Sequence, residues 1–314
     1  MIIIVNTHAG GGRASRRWAS VRAGMDAAAM DGTAFLNRTM PELLELVRMR
    51  YARGERTFIA AGGDGTVNSM INTLVERSGD AAPARPATLG HVSVGAVGLG
   101  SSNDFHKPRR QRGTLHGTPV AIDASRTFPR DAVSVDITNN GQTRTQWFLL
   151  NGGFGITAAA NARFNAGGPV LRFLKHLSTP AAILIAIVRT LLSLSDLRLS
   201  VTAGDGEPAT HSVTNLAVLK SPWVSGSLSF PAAWTAPGMM GVVLLSRARR
   251  AYIVRFLMDL LRGRCVPSSR CTHFLTPTLT VASATPVALE IDGEIVRGSR
   301  FAFNVRRDFL RVCS

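Results

Sequence analysis

The residue types best suited to phosphate chemistry lie in one short stretch, Gly62-Gly63-Asp64-Gly65-Thr66-Val67-Asn68. A strand-forming apolar run precedes it, and apolar side chains recur at helical spacing after it. Glycines at such a turn let phosphate approach the backbone, and the helix start favours negative charge. Asp64 would repel a bare phosphate, so we expect it to hold a divalent cation or a hydroxyl. The alternative is an ordinary turn with Asp64 as helix cap.

Two further glycine-rich loops follow predicted strands. Asn6 ends the apolar strand Ile2–Asn6 and is followed by Gly10, Gly11 and Gly12, without the lysine of a Walker A loop. After a predicted strand over 92–97, a third loop carries Ser102, Asn103 and Asp104. Parallel sheets bind ligands at the carboxyl ends of their strands, so we expect these loops to line one cleft. For Asn103 and Asp104, helix capping is the alternative.

A second acidic motif is Glu290-Ile291-Asp292-Gly293-Glu294. Asp-Gly is a common hairpin turn, which is the purely structural interpretation. In the functional interpretation, Asp292 and Glu294 lie at a strand end and supply a general base and a metal ligand. Transfer of a phosphoryl group to an alcohol needs charge neutralisation, positioning and a carboxylate near the attacking hydroxyl. Both interpretations remain open at this point.

The elements that position these motifs predict two domains in 314 residues. Strands alternate with helices over 1–123, which predicts a Rossmann-like parallel α/β domain. The region 124–297 reads mainly as antiparallel strands, with a hairpin at 139–142 and an amphipathic helix over 248–262. Apolar stretches at 170–177 and 181–194 predict core or interfacial helices. They are too short to span a bilayer, which takes about 20 apolar residues.

The formal net charge is +16, from 36 basic and 20 acidic residues, and only three of the basic residues are lysines. This excess suits an anionic partner such as a nucleotide or a phospholipid surface. The denser basic runs, 13–17, 107–112, 247–250 and 262–270, are either membrane-facing or simply solvated. Three cysteines without a CxxC pair indicate a reducing cytosol, and the apolar amino terminus does not resemble a signal peptide. We expect a cytoplasmic protein with peripheral contact to an anionic membrane and no nucleic-acid partner.

The motifs and their order resemble the diacylglycerol kinase catalytic-domain family, which includes soluble bacterial diacylglycerol kinases, YegS-like lipid kinases, and sphingosine and ceramide kinases. The resemblance extends over essentially the whole chain. It implies a nucleotide-binding domain over 1–123, completed by 298–314, and a lipid-binding β-sandwich over 124–297. ATP and Mg²⁺ are the implied cofactors, with ATP in the cleft between the domains, and lipid metabolism, including phospholipid biosynthesis, is the implied setting.

The same resemblance implies roles for single residues. The implied ATP contacts are Asn6, Gly10, Gly11, Gly12, Gly62, Gly63, Asp64, Gly65, Thr66 and Asn68. Ser102, Asn103 and Asp104 would contact the substrate. Asp292 would activate the acceptor hydroxyl with support from Glu294, and Asp64 would organise metal and phosphate. Mg²⁺ would be held through the ATP phosphates, with Asp64 and Asp292 as its carboxylates. For the acyl pocket we expect Phe148, Phe154, Leu171 and Phe173, with core packing as their alternative role.

One departure from the family concerns an accessory metal. Soluble bacterial members usually carry an Asp-Gly-Leu type segment whose aspartate helps to bind an accessory magnesium. The matching stretch here is Ala236-Pro237-Gly238-Met239-Met240, and no Asp or Glu occurs between Pro208 and Met258. Because Mg²⁺ prefers carboxylate oxygens, we predict that this accessory site is missing. A milder departure is Ser101-Ser102, where the family usually has Thr or Ser with Gly.

The leading hypothesis is an ATP-dependent lipid kinase that phosphorylates a hydroxyl of a diacylglycerol-like or sphingoid lipid. One alternative is an NAD-kinase-like soluble phosphotransferase, since NAD kinases share the Gly-Gly-Asp-Gly-Thr motif. The Asp-Gly-Glu motif and the apolar helices disfavour it. Another is a non-catalytic lipid-binding relative, disfavoured by the retained Asp64, Asp292 and Glu294. A homodimer is left as an open alternative.

Overall fold

A computed structural model describes residues 1–27, 32–36, 38–79, 88–107, 113–166 and 195–314. The chain forms two compact units. The first unit is Met1–Ala132 with Arg307–Ser314, and the second unit is Val133–Arg306. The predicted domain boundaries are 123/124 and 297/298, whereas the units meet at 132/133 and 306/307. The predicted helices over 170–177 and 181–194 lie outside the described residues.

The first unit is an α/β structure built on a parallel sheet. Its helices are α1 (Ala14–Ala27), α2 (Met40–Ala52) and α3 (Asp64–Gly79). Its strands are β1 (Ile2–Val5), β2 (Thr33–Phe35), β3 (Thr57–Gly62), β4 (Leu89–Gly98), β5 (Gly113–Leu115) and β6 (Thr118–Ala121). The sheet order β2-β1-β3-β4 is parallel throughout. The last residues of β17 (Glu294–Cys313) pair in parallel with β4, with Leu310 opposite Leu89.

Local sequence explains why these elements form. The strands β1 and β3 are continuous apolar runs because both faces of a parallel sheet are covered. Trp18, Val21 and Met25 of α1 are buried in one core cluster with residues of β1, β3 and β4. α2 begins with a capping box, in which the Thr39 N–H donates to Glu42 Oε2 at 2.7 Å. The predicted parallel α/β domain is confirmed.

The second unit is antiparallel and strand-rich. Its strands are β7 (Thr127–Asn139, which begins in the first unit), β8 (Gln142–Phe148), β9 (Asn151–Gly155), β10 (Leu197–Ala203), β11 (Ala209–Leu219), β12 (Trp223–Val224), β13 (Leu228–Ser229), β14 (Met240–Ser246), β15 (Cys271–Thr276), β16 (Thr278–Ile291) and most of β17. Its helices are α4 (Ile156–Ala166) and α5 (Arg250–Leu261). The strand order is β15-β14-β11-β10-β16-β17, and β9 pairs with both β11 and β16.

The largest difference from the predicted elements concerns β9. The sequence predicts one strand over 143–150 that ends at the Asn151–Gly155 motif. In the structure β8 ends at Phe148, Leu149 and Leu150 form a bend, and the motif is a separate strand. The backbone N–H groups of this bend are bound by Asp292, more than a hundred residues away in sequence. A contact between residues so far apart in sequence cannot be predicted from the local residue pattern.

Candidate functional site

The three glycine-rich loops lie at one edge of the parallel sheet. They follow the adjacent strands β1, β3 and β4, so each loop leaves the carboxyl end of its strand. The backbone carbonyl of Gly62 accepts hydrogen bonds from the N–H groups of Leu99 and Gly100, at 2.9 and 3.1 Å. The first unit therefore brings together the loop residues for which the sequence predicts ATP contacts.

Glycine is required where these loops approach each other. Gly10, Gly11 and Gly12 have φ values of 59°, 67° and 86°, a region that side chains disfavour. A Cβ on Gly10 would lie 2.5 Å from the carbonyl oxygen of Leu99, and one on Gly63 would lie 3.3 Å from the Cα of Gly100. The backbones of the three loops thus approach one another closely.

Polar side chains fix the relative position of the first two loops. Asn6 donates through Nδ2 to Thr66 Oγ1 at 3.1 Å, and its Oδ1 accepts the N–H of His8 at 3.1 Å. Thr66 and Asn68 are buried in the first turns of α3. The Asn68 side chain accepts from Asn72 Nδ2 at 3.1 Å. In the described contacts, therefore, Asn6 and Thr66 join the two loops directly, whereas Asn68 supports the helix.

Asp64 joins the second loop to the third. Its Oδ2 accepts the N–H of Asp104 at 3.1 Å, and its Oδ1 accepts the N–H of Phe105 at 2.9 Å. Asn103 adopts a left-handed φ of 52° and donates through Nδ2 to the carbonyls of Gly98 and Gly100. These contacts hold the third loop against the second. The position of Asp64 at the start of α3 also matches the favourable end of the helix dipole.

Asp104 has an ionic partner that the sequence did not assign. The carboxylate is 7% exposed and forms an ion pair with Lys107 Nζ, which is itself 15% exposed. Lys107 lies three residues after Asp104. In the sequence it stands out only as part of the basic run 107–112. Ser102, which precedes Asp104 by two residues, is half-buried. The spacing of Asp104 and Lys107 is the one sequence signal that could have indicated the pair.

In the second unit, Asp292 and Gly293 form the tight turn between β16 and β17. Their φ values are 44° and 99°, as the turn of a two-residue hairpin requires. The Asp292 carboxylate is turned back onto the β8–β9 bend, where Oδ2 accepts the N–H of Leu149 at 2.9 Å. Oδ1 accepts the N–H groups of Leu150 and Asn151, at 3.1 and 2.8 Å. Glu294, by contrast, is exposed on the following strand.

A largely apolar cavity lies next to this bend, within the second unit. The apolar side chains that line it are Ile156, Ala217, Leu219, Val224, Leu228, Phe230, Leu245, Ile253, Phe256, Leu257 and Leu260. Four polar residues, Asn151, Thr157, Asn215 and Glu290, line it as well. Glu290 is buried, and its Oε1 accepts the N–H of Gly293 at 2.6 Å. The sequence alone indicates no role for these four residues.

The predicted acyl-pocket residues lie elsewhere. Phe148 and Phe154 are fully buried in the β-sheet core, where Phe154 stacks edge-on against Phe301 at 5.0 Å. Neither lines this cavity, and both belong to the core cluster, which is the alternative role expected for them. Leu171 and Phe173 lie outside the described residues. The signal for the cavity is instead the helical spacing of the apolar residues in α5.

A lysine binds the backbone of the stretch 236–240, which matches the metal-binding segment of the family. Lys220 Nζ donates to the backbone carbonyls of Ala236 and Met239, at 2.8 and 2.9 Å. An ammonium group thereby bridges the turn that precedes β14. Beside it, Trp234 stacks on His273 at 4.2 Å, and burial lowers the pKa of this histidine. Among the described residues, the buried Nε2 of His273 has no hydrogen-bond partner.

Comparison with known proteins gives two matches along the chain. Residues 1–126 match the family model described as the diacylglycerol kinase catalytic domain. Residues 153–314 match the model described as the YegS C-terminal NAD kinase β-sandwich-like domain. The chain belongs to the diacylglycerol kinase catalytic-domain family. The predicted resemblance and fold class are therefore confirmed.

The individual relatives share only part of this sequence or only its fold. Over 127 residues it is 32% identical to the protein named lipid kinase YegS of Escherichia coli strain K12. That alignment covers 39% of this chain and 37% of the relative. A diacylglycerol kinase structure from Bacillus anthracis strain Sterne matches 99% of this chain and 95% of its own, with a TM-score of 0.65 and 14% identity. Yeast NADH kinase matches with a TM-score of 0.50 and 10% identity, covering 100% of this chain and 83% of its own. These two likenesses concern the fold.

Among the residues that the structure describes, no helix is both long enough and apolar enough to cross a bilayer.

Proposed function

We propose that the protein is an ATP-dependent lipid kinase that transfers the γ-phosphoryl group to a hydroxyl of a diacylglycerol-like or sphingoid lipid. The cavity of the second unit is the observation that carries this proposal. Its walls are apolar except for four polar residues, the composition typical of small-molecule pockets. An acceptor with an acyl chain and a hydroxyl matches that distribution, whereas a soluble dinucleotide does not need so many apolar walls.

The loops of the first unit fit the phosphates of ATP. Gly10, Gly11 and Gly12 adopt left-handed backbone conformations, and α3 begins in the second loop. Over the described ranges, no group of three or more His, Cys, Asp or Glu could hold a metal ion by itself. We propose that Mg²⁺ is held through the ATP phosphates, with Asp64 and Asp292 as candidate protein ligands. When bound, the cation would neutralise charge on the transferred group.

For the acceptor, we propose that the acyl part lies in the cavity and that Asp292 takes the proton of the hydroxyl. The acceptor oxygen then forms a bond to the γ-phosphorus while the bond to the ADP oxygen breaks. Glu294 would support Asp292, and Ser102, Asn103 and Asp104 would contact the lipid head group. Support for Asp292 comes from its binding to the backbone of Asn151, a residue of the cavity wall. Glu290, on the same wall, is the rival carboxylate.

Such an acceptor resides in a membrane, and we propose that the enzyme acts as a peripheral protein at an anionic membrane surface on the cytoplasmic side. The net charge of +16 supports attraction to that surface. The choice among lipid acceptors is left to experiment.

The test supplies labelled ATP with diacylglycerol, monoacylglycerol, ceramide, sphingosine or phosphatidylglycerol in mixed micelles, and separately with NAD. Label should enter a lipid. Asp292→Asn should lower kcat about 100-fold or more, as the loss of a general base does, with Glu290→Gln as the matched comparison. Both variants are assayed at a temperature at which circular dichroism shows them folded. Label in NAD alone would contradict the proposal, and full turnover by Asp292→Asn would remove Asp292 as the base.

A further inference from the structure

Helix α5 carries apolar side chains on two of its faces. Its inner face is buried through Ile253, Phe256 and Leu260, which line the cavity. Its outer face presents Val254, Met258 and Leu261, which are 50%, 44% and 52% exposed. The spacing of the outer residues, i, i+4 and i+7, places them in one row along the helix. A surface helix normally carries polar residues on its outer face, so this row is unusual.

A further exposed apolar residue follows the helix in sequence. Val266, in the loop after α5, is 71% exposed, a larger fraction than for any other large apolar residue of the described part of the chain. Contiguous exposed apolar residues of this kind mark sites of contact with other proteins or with membranes. The identity of the partner has to come from the charges around the row.

Arginines precede, interrupt and follow the row in sequence. Between 247 and 270 the chain has seven arginines and no lysine, and its one acidic residue is Asp259. All seven arginines are exposed: Arg247, Arg249, Arg250, Arg255, Arg262, Arg264 and Arg270. The Asp259 carboxylate is half-buried and lies 4.0 Å from Arg255 Nε, so it offsets only a small part of this charge. The surface is therefore strongly positive with an apolar centre.

We propose that the outer face of α5, with Val266, docks onto a bilayer that contains anionic lipid. An apolar row inserts between head groups while flanking cations bind lipid phosphates, which is how interfacial helices bind membranes. The same helix forms a wall of the cavity, so docking would bring that wall to the lipid from which an acyl chain enters. The biological meaning of this inference rests on the proposed lipid kinase function, but its test does not.

The test measures partition to phosphatidylcholine vesicles with and without phosphatidylglycerol, by sedimentation and without ATP. The wild type should bind the anionic vesicles more tightly, and added salt should weaken the binding. Arg255→Gln with Arg262→Gln should lower the partition coefficient by about 25-fold, at about fivefold for each arginine. Val254→Ser with Met258→Ser and Leu261→Ser should lower it by about tenfold or more.

The matched control is Met49→Ser with Arg53→Gln on α2, which also removes an exposed methionine (44%) and an exposed arginine. It should bind as the wild type does. Equal binding of the α5 variants and the wild type would overturn the proposal, as would equal binding of the wild type to both kinds of vesicle. If the wild type binds through α5 but labels no lipid, the docking surface stands and the kinase proposal fails. If lipid in micelles is labelled without vesicle binding, the reverse holds.

Discussion

Replacement of Asp292 by asparagine should destabilise the second unit in addition to removing a candidate base. The carboxylate accepts three backbone N–H groups, those of Leu149, Leu150 and Asn151, at 2.8 to 3.1 Å. Asparagine offers one oxygen and one NH₂ group. In the better orientation of the asparagine side chain, its oxygen still accepts the N–H groups of Leu150 and Asn151. The NH₂ group then faces the N–H of Leu149, which loses its acceptor.

The cost follows from these contacts. A buried N–H without an acceptor costs about 1–3 kcal/mol, and hydrogen bonds to a charged group are stronger than those to a neutral one by about 1 kcal/mol each. With one N–H unsatisfied and two hydrogen bonds weakened, we expect a loss of about 3–5 kcal/mol in the free energy of unfolding. For a unit of this size that lowers Tm by about 6–20 °C.

The assay is thermal unfolding followed by circular dichroism, with Glu294→Gln as the control. Glu294 belongs to the same motif but is exposed, so its Tm should change by no more than about 2 °C. If Asp292→Asn melts within about 2 °C of the wild type, the reasoning about the bend is refuted. Loss of activity in that stable variant would then point to chemistry alone, whereas a destabilised variant needs the kinetic comparison with Glu290→Gln.

Three further outcomes are expected. Lys220→Met should lower Tm, because two carbonyls lose their bound ammonium, at a cost of about 1–3 kcal/mol in the free energy of unfolding. A chelator should leave the wild-type Tm unchanged. A chelator-sensitive wild-type Tm would contradict this expectation. Gly10→Ala should raise KM for ATP, because its Cβ would lie 2.5 Å from the Leu99 oxygen at a φ that costs about 1–2 kcal/mol. Gly54→Ala, also at positive φ but in open space, is its control, and equal KM values for the two variants would count against the loop. Since burial lowers the pKa of His273, the unfolded chain binds the proton more readily, and stability should fall as pH drops below about 6.5. Tm of His273→Phe should fall less than that of the wild type over the same pH range, and parallel pH profiles would argue against the assignment.

The sequence predicted the elements whose cause is local. Apolar runs and glycine-rich turns indicated β1 and β3, and apolar periodicity over 248–262 indicated α5. Strands whose limits are set by pairing with a distant strand are harder to predict. β16, for example, continues through an irregular register between Ala282 and Val287, which its pairing with β17 fixes.

The functional residues show the same division. The sequence indicated that Asp64 and Asp292 matter, because an aspartate among glycines is conspicuous at a turn. It did not indicate what each carboxylate binds, because the partners are backbone groups 40 or more residues away. The cavity was missed for a related reason. Its walls come from β9, α4, β11, β12, β13, β14, α5 and β16, whose side chains meet only after the strands have paired.

The pairing of β17 with β4 has a consequence for folding during synthesis. The edge of β4 that includes Leu89, Ser93 and Val94 is covered by Leu310, Arg311 and Val312, which leave the ribosome last of all these elements. Until then the first unit carries a sheet edge whose backbone groups can pair with another chain. Its sheet is therefore completed only after translation has passed β17. Ribosome-bound chains that lack this strand should be the form most prone to aggregate.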